Sequence, residues 1–429
     1  MNWRHLLTVL AGTLLWGSTV DAAWVSWLVN DIDGPSGLGD AVVSRDGSLV
    51  EAANFGNASV TNVTVNTVPF TGVNFAGGGS PTVLTGLTYN TGQDARGTAT
   101  GGAIDTLTDT IAFRSGADPQ AASLTGLTPG TPYTVQFFLQ HNTVDRTLAI
   151  TSEGNTATLG TRNPGQVATG QFVADGATQD ITFDANTGSQ FLNGYQLREA
   201  KSTLKINIDD ADRPIDALTG FTLPLGYRQY TGQGSVADYQ APFATDGTVG
   251  VEVDAPFYRN TRDDTYGNVT ALDASGDQLK GFNAVMNSIV TVNDESQTVD
   301  IALTDLVAGQ YDIKVWLHGI FTAGASSGTN LWNVSGSATA TGIAGSVGTN
   351  SPSFGTPPTG LGDIASVTLP FAVGADGTAS FEFSVNQLDF NQMAINGFEL
   401  TYIAIPEPST FLIWSLGPLG LAWFGRRRR

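Results

Sequence analysis

The sequence predicts an all-β chain built as two tandem β-sandwich domains, and three observations predict it. Glycine is abundant, at 52 of 429 residues, while charged residues make up only 14%. Glycine, threonine, serine and asparagine supply turns, and valine and threonine suit pleated strands. Short runs of alternating apolar and polar residues recur between turn signals, and two halves of the chain repeat the same landmarks in the same order.

The alternation is clearest in Tyr-Thr-Val-Gln-Phe-Phe-Leu at 133–139 and Tyr-Asp-Ile-Lys-Val-Trp-Leu at 311–317. A period of two puts Tyr133, Val135, Phe137 and Leu139 on one face, and Tyr311, Ile313, Val315 and Leu317 on the matching face of the second run. Residues 149–151, 181–183, 299–303 and 379–385 have the same character, and no segment of helical period competes with them.

The repeat sets the domain limits. Leu-Thr-Gly-Leu-Thr-Pro-Gly at 124–130 matches Leu-Thr-Asp-Leu-Val-Ala-Gly at 303–309. Leu-Asn-Gly-Tyr-Gln-Leu at 192–197 matches Ile-Asn-Gly-Phe-Glu-Leu at 395–400, and Asp31-Ile32-Asp33 echoes Ile208-Asp209-Asp210. The offset is 178 residues near the starts and 203 at the closing phrases, which predicts an insertion in the Gly/Ser/Thr-rich stretch 321–361. Domain one is expected at 23–200 and domain two at 201–404.

Both ends are expected to be processing segments, each with a helical apolar stretch. Arg4 and His5 precede an apolar run at 6–16 and a small-residue cleavage context at 20–23, the pattern of a signal peptide over 1–22. At the other end, Pro406-Glu407-Pro408 is followed by the short apolar stretch 411–424 and then Arg426, Arg427, Arg428 and Arg429. The prolines favour an extended, accessible segment, and four terminal arginines resist crossing a bilayer. This triplet, span and arginine cluster resemble the PEP-CTERM sorting domain, over 405–429. The resemblance implies a membrane processing enzyme, exosortase, as a partner and transient anchoring in the inner membrane. It also implies final placement on the surface or in the extracellular matrix of a Gram-negative bacterium that makes extracellular polysaccharide.

The two closing phrases at 193–197 and 396–400, with the turn that leads to Tyr133, resemble galactose-binding-like and malectin-like jelly rolls. That resemblance implies jelly-roll sandwiches and a lectin-like, carbohydrate-binding role with extracellular polysaccharide as partner.

Charge and composition narrow the chemistry. The chain carries −20, and loss of 1–22 and 405–429 removes five basic and two acidic residues, leaving −23. Such a surface repels nucleic acid. Without cysteine there is no disulfide scaffold, thiolate zinc site or cysteine nucleophile. Only His141 and His318 remain in the body, with no nucleophile-elbow motif beside them, so no enzyme activity is expected.

Sugars stack on exposed rings and hydrogen-bond through their hydroxyls to carboxylates, amides and guanidinium groups. Trp316 is expected on the face opposite the core, with Phe138 as its counterpart and Trp332 in the insertion. Tyr227, Tyr258, Arg259, Arg262, Asp263 and Tyr266 complete the candidate sugar contacts. No other cofactor is expected, but Asp31 and Asp33, and Asp209 and Asp210, are candidate ligands for a structural calcium ion, although no EF-hand spacing is completed. The alternatives are a structural coat protein without a small ligand and, further off, a polysaccharide-processing enzyme.

Overall fold

The computed structural model describes residues 24–33, 37–89, 91–94, 102–116, 118–141, 147–160, 165–185, 188–209, 225–260, 288–292, 296–317, 331–344, 366–387 and 393–403. The expected leader and sorting tail, with their helices, lie outside these residues. Among the described residues no helix is long and apolar enough to cross a membrane.

The described strands form six sheets, and none from the segment ending at Glu199 pairs with one from Thr203 onward. In the first sandwich a seven-stranded sheet runs Ser26–Asp31, Gln166–Val173, Pro132–Leu139, Gly194–Glu199, Ser48–Gly56, Val68–Asn74, Val63–Val65. In the second, five strands repeat its middle: Ser366–Val373, Gly309–Trp316, Gly397–Ile403, Thr203–Ile208, Tyr227–Tyr230. Even the exception repeats, since the pair between Ser48–Gly56 and Val68–Asn74 is parallel, like that between Thr203–Ile208 and Tyr227–Tyr230, among antiparallel neighbours.

Each of these sheets closes on a second one. Phe137 meets Phe183 edge-on at 5.2 Å between the sheets of the first sandwich, and Phe371 meets Phe381 at 4.9 Å in the second. The inward sets anticipated at 133–139 and 311–317 are buried in these cores. All four of the shorter predicted strands are also present, as Thr147–Ser152, Thr178–Ala185, Thr298–Thr304 and Ala379–Gln387.

The repeated Asn-Gly phrase has a structural cause. Asn193 Nδ2 donates to the carbonyls of Thr108 and Thr110, each at 2.9 Å, while its Oδ1 accepts from the Gln140 amide at 2.6 Å. A Cβ on Gly194 would stand 2.5 Å from the Ala53 carbonyl oxygen, and one on Gly397 would stand 2.3 Å from that of Ile206. Only glycine lets the neighbouring strand come so near.

Three features depart from the sequence reading. The stretch 321–361 is not insertion throughout: Leu331–Gly336 and Ala340–Ala344 form a hairpin at the edge of a core sheet, placed like Thr147–Ser152 and Asn155–Gly160. Trp332 is correspondingly a buried core residue. A short helix, Ala103–Thr108, stands where no helical period is legible. Its amides at Ala103 and Ile104 are capped by Asp40, at 3.1 and 2.7 Å, more than sixty residues away in sequence. Finally, Asp31 and Asp209 are not equivalent: Asp31 ends an edge strand, while Asp209 follows the inner strand Thr203–Ile208.

Polar contacts join the sandwiches. Arg228 Nη2 donates to Ser26 Oγ at 3.0 Å, Ser26 Oγ donates to the Gln240 carbonyl at 2.9 Å, and Asn155 Nδ2 donates to Gln240 Oε1 at 3.2 Å. Burial lowers the Arg228 guanidinium to about 10, and the nearby Tyr239 counters this.

One row on the outer face of the second sandwich works against stability. Asp254 stands directly opposite Asp300, and Asp300 opposite Glu382. The Asp300 carboxyl is raised first by desolvation, with Glu382 and Asp254 adding to the shift and a Thr298 hydrogen bond opposing it. A raised carboxyl contributes stability while protonated, and that contribution is lost as pH rises through its folded value. Asp300→Asn is therefore expected to stabilise the protein at pH 7 by up to about 1 kcal/mol. The gain should vanish below about pH 3. Urea unfolding at the two pH values checks this.

Candidate functional site

The outer face of the second five-stranded sheet carries charge where the first carries amides. Lys205, Glu399 and Lys314 stand directly opposite one another on three neighbouring strands. Their counterparts in the first sandwich include Gln196 and Gln136, paired in the same register. Alternation explains the arrangement: Phe398 and Leu400 point into the core, so Glu399 points out.

Glu399 is held from behind. Trp316 Nε1 donates to Tyr227 Oη at 2.8 Å, and Tyr227 Oη donates to Glu399 Oε1 at 2.7 Å. The Lys314 ammonium lies 3.8 Å from the centre of a Trp316 ring, a cation–π contact, and Lys205 lies 5.9 Å from the Tyr227 ring. Burial pushes the Tyr227 hydroxyl well up, the Glu399 charge and hydrogen bond raise it further, and the Trp316 hydrogen bond opposes them. Lys314 is lowered, first by burial and then by Lys205, against the pull of Glu399.

These contacts correct the expectation for Trp316, which alternation places outward, and for Tyr227, expected as an open sugar contact. The structure does bring them together, but as interior residues, with Trp316 only 1% exposed. Phe138 is likewise buried, in a small second core formed with Val42, Phe70, Ile104 and Leu107. Alternation gives the direction of a side chain from its sheet, and cannot show that another segment covers that face.

Of the remaining candidates, Tyr258 does not join this group. Tyr258 donates to the Val253 carbonyl at 2.5 Å and packs against the second core. Arg259 lies on Phe257–Asn260, opposite Ile289. Arg262, Asp263 and Tyr266 lie outside the described residues, as do Asp210 and His318. Buried His141 sits 5.2 Å from the Phe191 ring.

The acidic pairs are engaged by protein donors. Asp31 Oδ1 accepts from Gln166 Nε2 at 3.0 Å, and Asp33 accepts from the Gly165 amide at 2.6 Å and Gln140 Nε2 at 3.0 Å. Asp209, fully buried, accepts from Gln229 Nε2. Among the described residues, no three histidine, aspartate or glutamate side chains form a group that could hold a metal ion.

The open site lies where equivalent faces of the two sandwiches meet beside the linker. A cleft of about 520 Å³ is lined by Ser44, Thr134, Thr169 and Gln171 from the first sandwich, and by Thr203, Lys205 and Glu399 from the second. Asp46, Glu199 and Lys201 add charge at its edges. Lys205 spans the junction to Asp46 at 3.6 Å. Arg198 sets the turn that carries Asp46, donating to the carbonyls of Arg45, Asp46 and Gly47 at 3.1, 2.9 and 2.7 Å. On the first wall, Gln136 Nε2 donates to Thr169 Oγ1 at 2.8 Å, and Gln136 Oε1 accepts from the Ser44 amide at 2.8 Å.

Sequence reasoning missed Asp46, Lys205, Lys314 and Glu399. The signal for Glu399 was present in the closing phrase, whose alternation turns that carboxylate away from the core. Nothing in the sequence pairs Lys205 with Asp46, because that contact forms only when the two sandwiches dock.

No protein-family model and no curated protein matches the sequence. Among solved structures, the chain is similar to the plant receptor-like kinase FER, at 10% identity over 82% of this chain and 95% of that one, with a TM-score of 0.35. It is also similar to the tandem CBM22-1-CBM22-2 domain of Paenibacillus barcinonensis Xyn10C, at 10% identity over 90% and 100%, with a TM-score of 0.21. A third similarity is to Bacteroides uniformis β-glucuronidase 2, at 17% identity over 35% of this chain and 17% of the enzyme, with a TM-score of 0.26. These likenesses are too loose to carry structure or function over to this chain.

Tyr227→Phe removes a donor to Glu399 and an acceptor for buried Trp316, so a loss of about 1–3 kcal/mol is expected in chemical denaturation. Alkali should act in the same direction. Burial raises the hydroxyls of Tyr227, Tyr230, Tyr311 and Tyr402 in the folded state. Stability from these tyrosines is present below about pH 10, where the unfolded side chains remain protonated, and falls as pH rises beyond it. Phenolate absorbance should therefore appear together with unfolding.

Proposed function

We propose that this chain is an exported, exosortase-sorted surface protein that holds extracellular polysaccharide in the cleft between its two sandwiches, without chemically processing it. The cleft is the observation that carries the reading. Its volume, about 520 Å³, falls within the range of small-molecule sites. Its hydroxyls, amide, ammonium and carboxylates can both donate to and accept from sugar hydroxyls. Among the described residues no aromatic side chain lines it, so affinity rests on hydrogen bonds worth about 0.5–1.5 kcal/mol each, and each site should bind weakly.

Placement at the surface is supported by the two sequence ends, the apolar leader and the Pro406-Glu407-Pro408 triplet ahead of the apolar stretch and arginines. A calcium ion remains part of the proposal only as a structural aid near Asp31 and Asp33. A second reading, a coat protein without a small ligand, is favoured by the burial of Trp316 and Phe138, which removes the expected stacking platforms.

Isothermal titration of the purified protein against a panel of polysaccharides and their oligomers tests the first reading. Saturable binding is expected, weakened at least several-fold by Glu199→Ala with Lys201→Ala while the melting temperature holds. Binding to no glycan by a folded protein would favour the coat reading. For sorting, replacement of the 406–408 triplet by alanines should leave a full-length product in the membrane fraction, whereas the parent chain should be shortened. An unshortened parent in a host with exosortase would overturn that part.

A further inference from the structure

Resting on the polysaccharide reading above, we infer that the cleft selects neutral, hydroxyl-bearing glycans and rejects polyuronates. Among the described residues, the charges lining it are three carboxylates, Asp46, Glu199 and Glu399, and two ammonium groups, Lys201 and Lys205. Lys205 is already committed to Asp46 at 3.6 Å. Lys314, the next cation in the row, stands over the Trp316 ring at 3.8 Å. Among the described residues the lining therefore carries one more carboxylate than ammonium group.

A uronate chain brings one carboxylate per ring. Sites built for carboxylates use the guanidinium fork, which binds both oxygens at once. Among the described residues no arginine lines this cleft, and Arg198, beside it, is turned to three backbone carbonyls. The chain as a whole carries −20, so a polyanion also meets long-range repulsion on approach.

A neutral sugar meets the opposite situation. Glu399 stands between Lys205 and Lys314 in the strand register, and Tyr227 fixes one of its oxygens. A carboxylate held in this way is an oriented acceptor for sugar hydroxyls, while Thr134, Thr169, Thr203 and Gln171 supply further polar partners.

Titration of the full protein with a neutral glucan, a neutral galactan and a polyuronate of similar length, at low and high salt, tests the inference. The neutral polymers should bind at least tenfold more tightly than the polyuronate, with the gap narrowing in high salt as repulsion is screened. Glu399→Gln keeps an acceptor for Tyr227 but removes the charge, and should weaken neutral binding several-fold with little change in melting temperature. Glu199→Lys, at an exposed position, should raise polyuronate binding. Polyuronate binding equal to or tighter than neutral binding would overturn the selectivity while leaving the polysaccharide reading in place. Binding to none of the three would overturn both.

Discussion

Pro132–Leu139, central in the first sandwich, is buried on both faces, and its counterpart Gly309–Trp316 is buried on its inner face and, at Trp316, on its outer one; the rest of the molecule follows from that constraint. Without disulfides, each sandwich depends on apolar burial and hydrogen bonding to hold its sheets together. One face of Pro132–Leu139 packs Phe137 against Phe183, and the other packs Phe138 against Phe70. Gly309–Trp316 does the same with different chemistry, an aliphatic and aromatic face inside and a Trp–Tyr–Glu hydrogen-bonded chain outside. A covered outer face cannot serve as a broad stacking platform. Polar surface is left open where those faces emerge beside the linker, and there the cleft forms.

The outer row is one place where the repeats diverge. The framework is held constant by residues whose roles are geometric, such as the glycine of the closing phrase that admits the neighbouring strand. The row one residue pair away changes from glutamines to lysine and glutamate. In the first sandwich the amides satisfy one another and the nearby backbone, which suits a closed wall. In the second, Lys314 and Glu399 take these positions and reach Trp316 and Tyr227, while Lys205, at the place of Ala52, reaches Asp46 across the junction. A repeated fold thus presents two unlike walls to a single cleft.

Much of the fold was legible because its signals are local. Alternation at 133–139 and 311–317 assigns inward residues correctly, since a strand's side-chain period does not depend on what surrounds it. The helix Ala103–Thr108 was not legible, because its cap comes from Asp40. Trp332 was misplaced for a related reason: a glycine-rich neighbourhood looks like a loop until the hairpin pairs with Ala379–Gln387. For the candidate site, Tyr227 and Trp316 were found as chemistry but not as geometry. Asp46 and Lys205 lay too far apart in sequence to suggest a pair.

By itself the sequence determined the all-β class, the inward faces of the main strands, the repeated closing phrases and the absence of thiol chemistry. Composition, period and spacing are properties of the chain and survive any folding. The tertiary structure alone decided that Trp316 and Phe138 lie beneath a second layer, that Glu399 is oriented by Tyr227, and that the polar faces of two repeats meet in one cleft. Exposure and juxtaposition depend on which distant segments come to lie on a given face, and no local pattern carries that information.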